Sequence, residues 1–519
     1  MDSSPHPTAS ARSTVAELLE HTLARTPEAP AVIVDNGETL TYSQVGALSG
    51  ALARRLIAAG VAPGERVAVV AGRSAWQVIA AVAVLRAGGV YVPVDRAYPS
   101  ARIAELLGDC APAVVLHESC GDVLPQGTAP TLDIGDPEIR EDIHTEAQAE
   151  AAAGARTGST AIAPARPLTG ADPVYIIYTS GTTGKPKGAI NLHAGVALHL
   201  RWMGEVFGGA EHVVLNKAPM AFDVGVAEML SPLVTGGAVV IPAADWWPGD
   251  SRALLEMIRR HRVTVLSIVP SMVRAMLEAG VRAGEMDSLR HLLLGGEAVP
   301  ADLVARLREV TPARLHGLYG PSEAAMDVMW VEYTPDIPLC GGQALLGHAE
   351  PEVIVEVCQP EGREPVAPGE IGELVIGGPQ VGGGYLNRPE ATSAAFFTGP
   401  DGQRRYRTGD LVRFDEALGM YEFRGRLGDQ VKVRGNRVEL GEVEAALRAA
   451  PGVSGAAARL VGEELWGYVT GASHVAPEVR AHLERELPAY AVPTHLVPLD
   501  SLPLSANGKL DRSALPTQR

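Results

Sequence analysis

From about Glu65 onward, short and uniformly apolar runs alternate with longer helical stretches. ERVAVVAG reads as a buried strand. RSAWQVIAAVAVLRAGG reads as a helix stopped at Gly88 and Gly89, because glycine takes the left-handed backbone that ends helices. Further strand candidates are AVVL (113–116), VYIIY (174–178), AVVIP (238–242), VTVLSIV (263–269) and HLLLGG (291–296). Runs apolar on both faces and separated by helices predict α/β architecture, with parallel-type sheets layered between helices. From about Gly362 the strands shorten and the turns tighten (GELVIGG, GGGYL, YRTGDLVRFD), which predicts a small β-rich subdomain. After Gly425–Asp429 the texture changes again, to a compact α+β unit of about 90 residues. The expected division is a large N-terminal domain over 1–427 and a small, mobile C-terminal domain over 428–519, joined by a hinge. The stretch from Arg140 to Pro167, rich in Ala, Glu, Gly and Thr, reads as a surface linker or partly disordered loop.

Composition narrows the partners. Over 519 residues, 46% are hydrophobic, 20% are charged and the formal net charge is −17. Such acidity argues against nucleic acid or an anionic membrane as the main partner. The N-terminus MDSSPHPTAS lacks a basic segment followed by an apolar one, and Ala75–Leu85 falls short of the roughly 20 residues a membrane span needs. Cys110, Cys120, Cys340 and Cys358 are scattered, with no metal-ligand spacing, so reduced thiols in a cytoplasmic protein are expected.

The stretch Tyr178–Gly188, YTSGTTGKPKG, follows an apolar strand directly. Glycines let the backbone N–H groups converge on an anion, hydroxyl groups add donors, and lysines add charge. A nucleoside-triphosphatase P-loop would need Gly at position 179 and Ser or Thr after Lys185, where Thr179 and Pro186 stand instead. The loop is therefore a phosphate cradle of another kind.

Together with LTYSQV (40–45), LRAGGVYVPVD (85–95), AFDVGVAEM (221–229), LYGPSEA (318–324), GELVIGG (372–378), YRTGDL (406–411), GRLGDQVKVRGNRVELGEVE (425–444), LPAYAVP (487–493) and LSANGKLDR (504–512), the loop resembles the ordered motifs of the adenylate-forming enzymes. The match is to the amino-acid adenylation domains of nonribosomal peptide synthesis. That resemblance implies that a carboxylate is joined to the α-phosphate of ATP with Mg2+, releasing pyrophosphate, and that the aminoacyl group then passes to the phosphopantetheine thiol of a carrier protein. It implies that Thr179, Ser180, Gly181, Thr182, Thr183, Gly184 and Lys187 grip the departing phosphates. Tyr319 would stack on adenine, Glu323 would hold Mg2+, Asp410 would accept the ribose hydroxyls, and Arg426 would lie near ribose or phosphate. Lys509 would be the catalytic lysine bridging carboxylate and ribose.

By the same resemblance the substrate pocket comprises Asp223, Val224, Ala227, Ser267, Leu293, Gly295, Leu318, Met326 and Asp327. Asp223 would pair with an α-ammonium group, which is what favours an amino acid over the alternative, an acyl- or aryl-CoA synthetase acting on a simple carboxylic acid. Asp327 either meets a cationic or hydroxyl-bearing side chain or points away, leaving a small pocket for alanine or glycine. At the junction the family pattern places an acidic hinge residue where this chain has Gly428, with Asp429 one later. No condensation or carrier motif is visible, so a carrier protein acting in trans is expected.

Overall fold

The computed structural model describes residues 13–517 except 126, 128, 158–161, 163, 182–184, 283, 336, 338–344, 361, 472–476 and 504–509. Among the described residues the strands form four sheets. A seven-stranded sheet carries a parallel core, Arg66–Ala71, Val90–Asp95, Val114–His117, Thr131–Asp133 and Pro173–Thr179, with Lys187–Leu192 and Gly384–Tyr385 antiparallel at one edge. A fourteen-stranded sheet is parallel from Pro30–Val34 through Arg314–Tyr319 and antiparallel through the β-rich segment that ends at Arg426. Each predicted apolar run forms a strand in these two sheets.

The helices Val15–Arg25, Tyr42–Ala58, Ala75–Arg86, His193–Phe207 and Asp223–Thr235 fill the space between the sheets. One core joins Val67 and Val69 of the first sheet to Val214 and Val239 of the second through them. Ala75–Arg86 is buried on every face, as its unbroken apolar run requires. Ser74 caps it by accepting from Gln77 N at 3.0 Å, and Gly88 follows at φ +82°.

The expected linker from Arg140 to Pro167 is corrected by the structure: Pro137–Thr157 is a helix. Ile143 and Ala147, one turn apart, are 0% and 3% exposed against the core, and Arg55 grips Glu146 at 2.7 Å. Alanine and glutamate are strong helix formers, and the periodic apolar positions Ile139, Ile143 and Ala147 give the helix one face to bury.

Past Arg426 the chain leaves the large sheets. Gln430–Val433 and Asn436–Glu439 form a hairpin, and Gly455–Val461, Glu464–Thr470 and His495–Pro498 form a three-stranded sheet with its own core around Val443, Leu447, Val469 and Leu483. The protein is thus a large α/β domain with a β-rich part, followed by a small α+β domain. The small domain docks through a buried ion pair, Arg102 Nη1 to Glu442 Oε1 at 2.9 Å, and through Tyr490, whose ring lies 5.8 Å from that of Phe222.

Candidate active site

The hairpin of the small domain enters the large domain where the phosphate-loop strand, the LYGPSEA turn and Tyr385 converge. Glu323 is 1% exposed, on a short turn that Asn191 pins by accepting from Ala325 N at 3.0 Å and donating to Ser322 O at 2.8 Å. Arg437 of the hairpin donates to both Glu323 oxygens, at 3.1 and 2.9 Å, and the Tyr385 hydroxyl donates to Oε1 at 2.7 Å. Burial alone would raise the Glu323 carboxyl; Arg437 and the Tyr385 bond outweigh it and hold the group below the usual carboxylate range. Lys187 places its ammonium 5.4 Å from the centre of the Tyr385 ring, and burial pushes it below its ordinary value.

Thr179 is buried at the strand end and pairs with Lys187 across the hairpin, while Ser180 donates to Arg437 O at 3.2 Å. A Cβ on Gly181 would stand 1.9 Å from Lys185 O, so only glycine allows this backbone approach. Thr182, Thr183, Gly184 and the catalytic candidate Lys509 lie outside the described residues.

Asp410 is 5% exposed. Its Oδ2 accepts from the Tyr319 hydroxyl at 2.5 Å and its Oδ1 from Arg426 at 2.8 Å, while Arg426 also reaches Thr408 O at 3.1 Å. Tyr319, Asp410 and Arg426 therefore form one connected unit. Each carboxylate oxygen keeps a further lone pair for a hydroxyl donor.

The pocket positions also come together. Asp223 and Val224 open the helix Asp223–Thr235, with Ala227 one turn further. Ser267 pairs with Leu293 on the neighbouring parallel strand, Gly295 follows that strand, and Leu318 lies on the next. Met326 and Asp327 follow the LYGPSEA turn, with Ala325 and Met326 both left-handed at φ +53° and +80°. Such left-handed backbone persists only where the surroundings over-determine it.

Asp223 and Asp327 are both half-buried. Burial raises both carboxyls, and Asp327 is pushed up to about 7. Asp223 is partly relieved by Ser322 and by accepting from Val224 N at 2.8 Å.

Sequence reasoning missed Arg437, although it stands in the quoted stretch QVKVRGNR; its pairing with Glu323 needs the docked hairpin. It also missed Tyr385, in GGGYL, and Tyr175, which burial and both pocket aspartates hold well above its ordinary value. Among the described residues no group of three or more acidic, histidine or cysteine side chains could hold a metal ion. Glu323 fits as a single carboxylate for Mg2+ that arrives with nucleotide phosphates, the usual way Mg2+ is held.

Two layered α/β sheets, a β-rich part and a small docked domain, meeting at a glycine-rich loop and a buried carboxylate, define an adenylate-forming enzyme. The family model for AMP-binding enzyme matches residues 19–386, and that for the AMP-binding enzyme C-terminal domain matches 442–509. The chain belongs to this family, in its nonribosomal-peptide-synthetase (NRPS) type. Novobiocin biosynthesis protein H of Streptomyces niveus is 38% identical over 99% of this chain and 84% of its own length. Tyrocidine synthase 3 of Brevibacillus parabrevis is 36% identical over 96% of this chain, which spans 8% of that much longer protein. A solved NRPS protein containing adenylation and PCP domains, bound to a vinylsulfonamide inhibitor, is similar with TM-score 0.80 and 27% identity, over 97% of this chain and 84% of that one.

Proposed function

We propose that this adenylate-forming ligase activates an amino acid as its aminoacyl-AMP and then transfers it to the phosphopantetheine thiol of a separate carrier protein. The observation that carries this reading is Asp223, a half-buried carboxylate at the start of the helix Asp223–Thr235 whose ionisation burial disfavours, where a substrate α-ammonium would find its partner. An acid lacking the amine leaves that carboxylate uncompensated, which costs on the order of 1–3 kcal/mol or more.

A substrate carboxylate oxygen attacks the α-phosphorus of ATP, the bond to the β-phosphate breaks, and pyrophosphate leaves. The glycine-rich loop from Thr179, with Lys187, receives the leaving phosphates. Tyr319, Asp410 and Arg426 orient the nucleoside. Bound Mg2+ would supply Lewis-acid stabilisation of the phosphate oxygens, with Glu323 as its protein ligand. Lys509 serves as the catalytic lysine of this step. In the second step the thiol attacks the acyl carbon and AMP leaves.

The small domain, from Gly428 on, changes orientation between the steps. Gly428 has φ +84°, and nothing lies within 4 Å of the position of a Cβ there, so it and Asp429 supply the hinge. Loading of a holo carrier protein, followed by intact mass, tests the reading. A mass gain equal to an aminoacyl group, dependent on ATP, supports it; acylation of free coenzyme A by simple carboxylic acids, with no loaded carrier, overturns it.

A further inference from the structure

No step of the proposed reaction uses the run GGGYL (382–386). Its glycines bring one stretch of backbone against the turn that carries Glu323. Gly382 donates to Glu323 O at 2.8 Å and Gly383 to Ile190 O at 2.8 Å. A Cβ on Gly382 would stand 2.4 Å from Ile190 O and 2.9 Å from Glu323 O, so only glycine allows the approach. Tyr385 then pairs with Ala189 on the strand Lys187–Leu192, and Leu386 donates to Gly188 O at 2.8 Å. One tyrosine is thereby placed between the phosphate-loop strand and the Glu323 turn.

Packing within the large domain fixes that side chain. Tyr385 is buried; its N donates to Thr392 Oγ1 at 2.9 Å, and its ring meets that of Phe396 edge-on with centres 5.5 Å apart. Its hydroxyl donates to Glu323 Oε1 at 2.7 Å, while the Lys187 ammonium stands 5.4 Å from its ring centre. The negative ring face suits a cation and the hydroxyl suits a carboxylate. The phenol therefore sets the spacing between an anion and a cation that attract each other.

Domain membership separates Tyr385 from the other donor. Among the described residues, the side chains bonded to the Glu323 carboxylate are Tyr385, on Oε1, and Arg437, on both oxygens. Arg437 belongs to the small domain and departs with it when that domain turns. Tyr385 belongs to the large domain and stays. Oε1 is then still held, and Oε2 is released for a metal ion. A carboxylate without that tether swings toward the nearest cation, and an ion pair with Lys187 would cancel both charges.

We propose that Tyr385 is a positioning residue for the adenylation step: its hydroxyl holds Glu323 by Oε1 and presents Oε2 to Mg2+, and its ring holds Lys187 beside the departing phosphates. This rests on the assignment of Mg2+ to Glu323 made above. Tyr385 acts through those two side chains and not on the reacting atoms.

The test is calorimetric titration with α,β-methylene-ATP, whose α,β bridge does not cleave, in Mg2+ and in EDTA. The ratio of the two Kd values is the affinity gained from the metal. Tyr385→Phe keeps the ring and removes the hydroxyl. The gain then falls by about ten- to a hundredfold with the metal-free Kd unchanged, a split that a loosened fold does not produce. Tyr385→Leu removes the ring as well, so the metal-free Kd also rises several-fold. Where Tyr385→Phe does not fold, Thr392→Val takes its place: it releases Tyr385 N and lowers the gain alone, by a smaller factor. A wild-type gain in the variant, or an equal loss with and without metal, overturns the inference. Glu323→Gln identifies which reading has failed. A gain lost there but kept in Tyr385→Phe overturns the inference alone; a gain kept in both overturns the Mg2+ assignment as well.

Discussion

Arg437, on the small domain's hairpin, holds both carboxylate oxygens of Glu323 in the large domain, at 3.1 and 2.9 Å. Arg437 thus neutralises Glu323 from the other domain; on the proposed assignment of Mg2+ to Glu323, hairpin docking and metal binding would compete for one carboxylate. Arg437→Ala removes the competitor, so half-saturation by Mg2+ in pyrophosphate exchange falls several-fold while carrier loading drops. An unchanged Mg2+ requirement contradicts the competition.

The same pair predicts a pH dependence. Glu323 is held below the usual carboxylate range, so it stabilises the fold above that range, and the contribution is lost as pH falls through the depressed value. Breaking one side of a buried pair costs about 3–5 kcal/mol. The Tm gap between wild type and Arg437→Ala is therefore wide at pH 7 and narrows only as pH falls below the usual carboxylate range. A gap constant with pH counts against the pairing.

Arg102 and Glu442 bind the small domain to the large one in a nearly dry contact. Glu442→Gln keeps the shape and removes the charge. Arg102 retains Glu105 at 3.0 Å, so the cost is on the order of 1–3 kcal/mol rather than the full value of a broken buried pair. The two domains should be cut apart faster by limited proteolysis near 427–429, with the melting of the large domain unchanged. Equal cleavage rates speak against a latch.

His193, His291 and His316 are held at about 4, principally by burial, and His291 Nδ1 and His316 Nε2 meet at 3.1 Å. Between that value and the ordinary histidine range the unfolded chain binds protons that the native one refuses. Stability is complete above the ordinary range and falls with pH across that window. Tm drops by several degrees from pH 7 to 5, and His316→Gln shrinks the drop. An identical drop in the variant contradicts the burial of that imidazole.

Gly181→Ala forces a Cβ onto the Lys185 carbonyl. The KM for ATP rises by about ten- to a hundredfold with thermal stability nearly unchanged, since the loop lies outside the cores. A wild-type KM removes the loop from nucleotide binding.

Much of this was legible in the chain. Buried strands announce themselves as apolar runs, whereas the loop, Asp223 and Asp410 were singled out by the resemblance of their motifs rather than by local chemistry alone. The helix Pro137–Thr157 was hidden because its alanines and glutamates look like a polar linker until Ile139, Ile143 and Ala147 are counted at helical spacing. Arg437 and Tyr385 were hidden for another reason. Their partner Glu323 lies 114 and 62 residues away, and only the folded chain brings them together.

The central claim is that Asp223 reads an α-ammonium group. Pyrophosphate exchange with the best amino acid and with its analogue lacking the α-amine, for wild type and Asp223→Asn, tests it most directly. The account predicts at least hundredfold preference for the amine in the wild type, about 2.7 kcal/mol, collapsing in the variant. Equal exchange with the two acids in the wild type would contradict it.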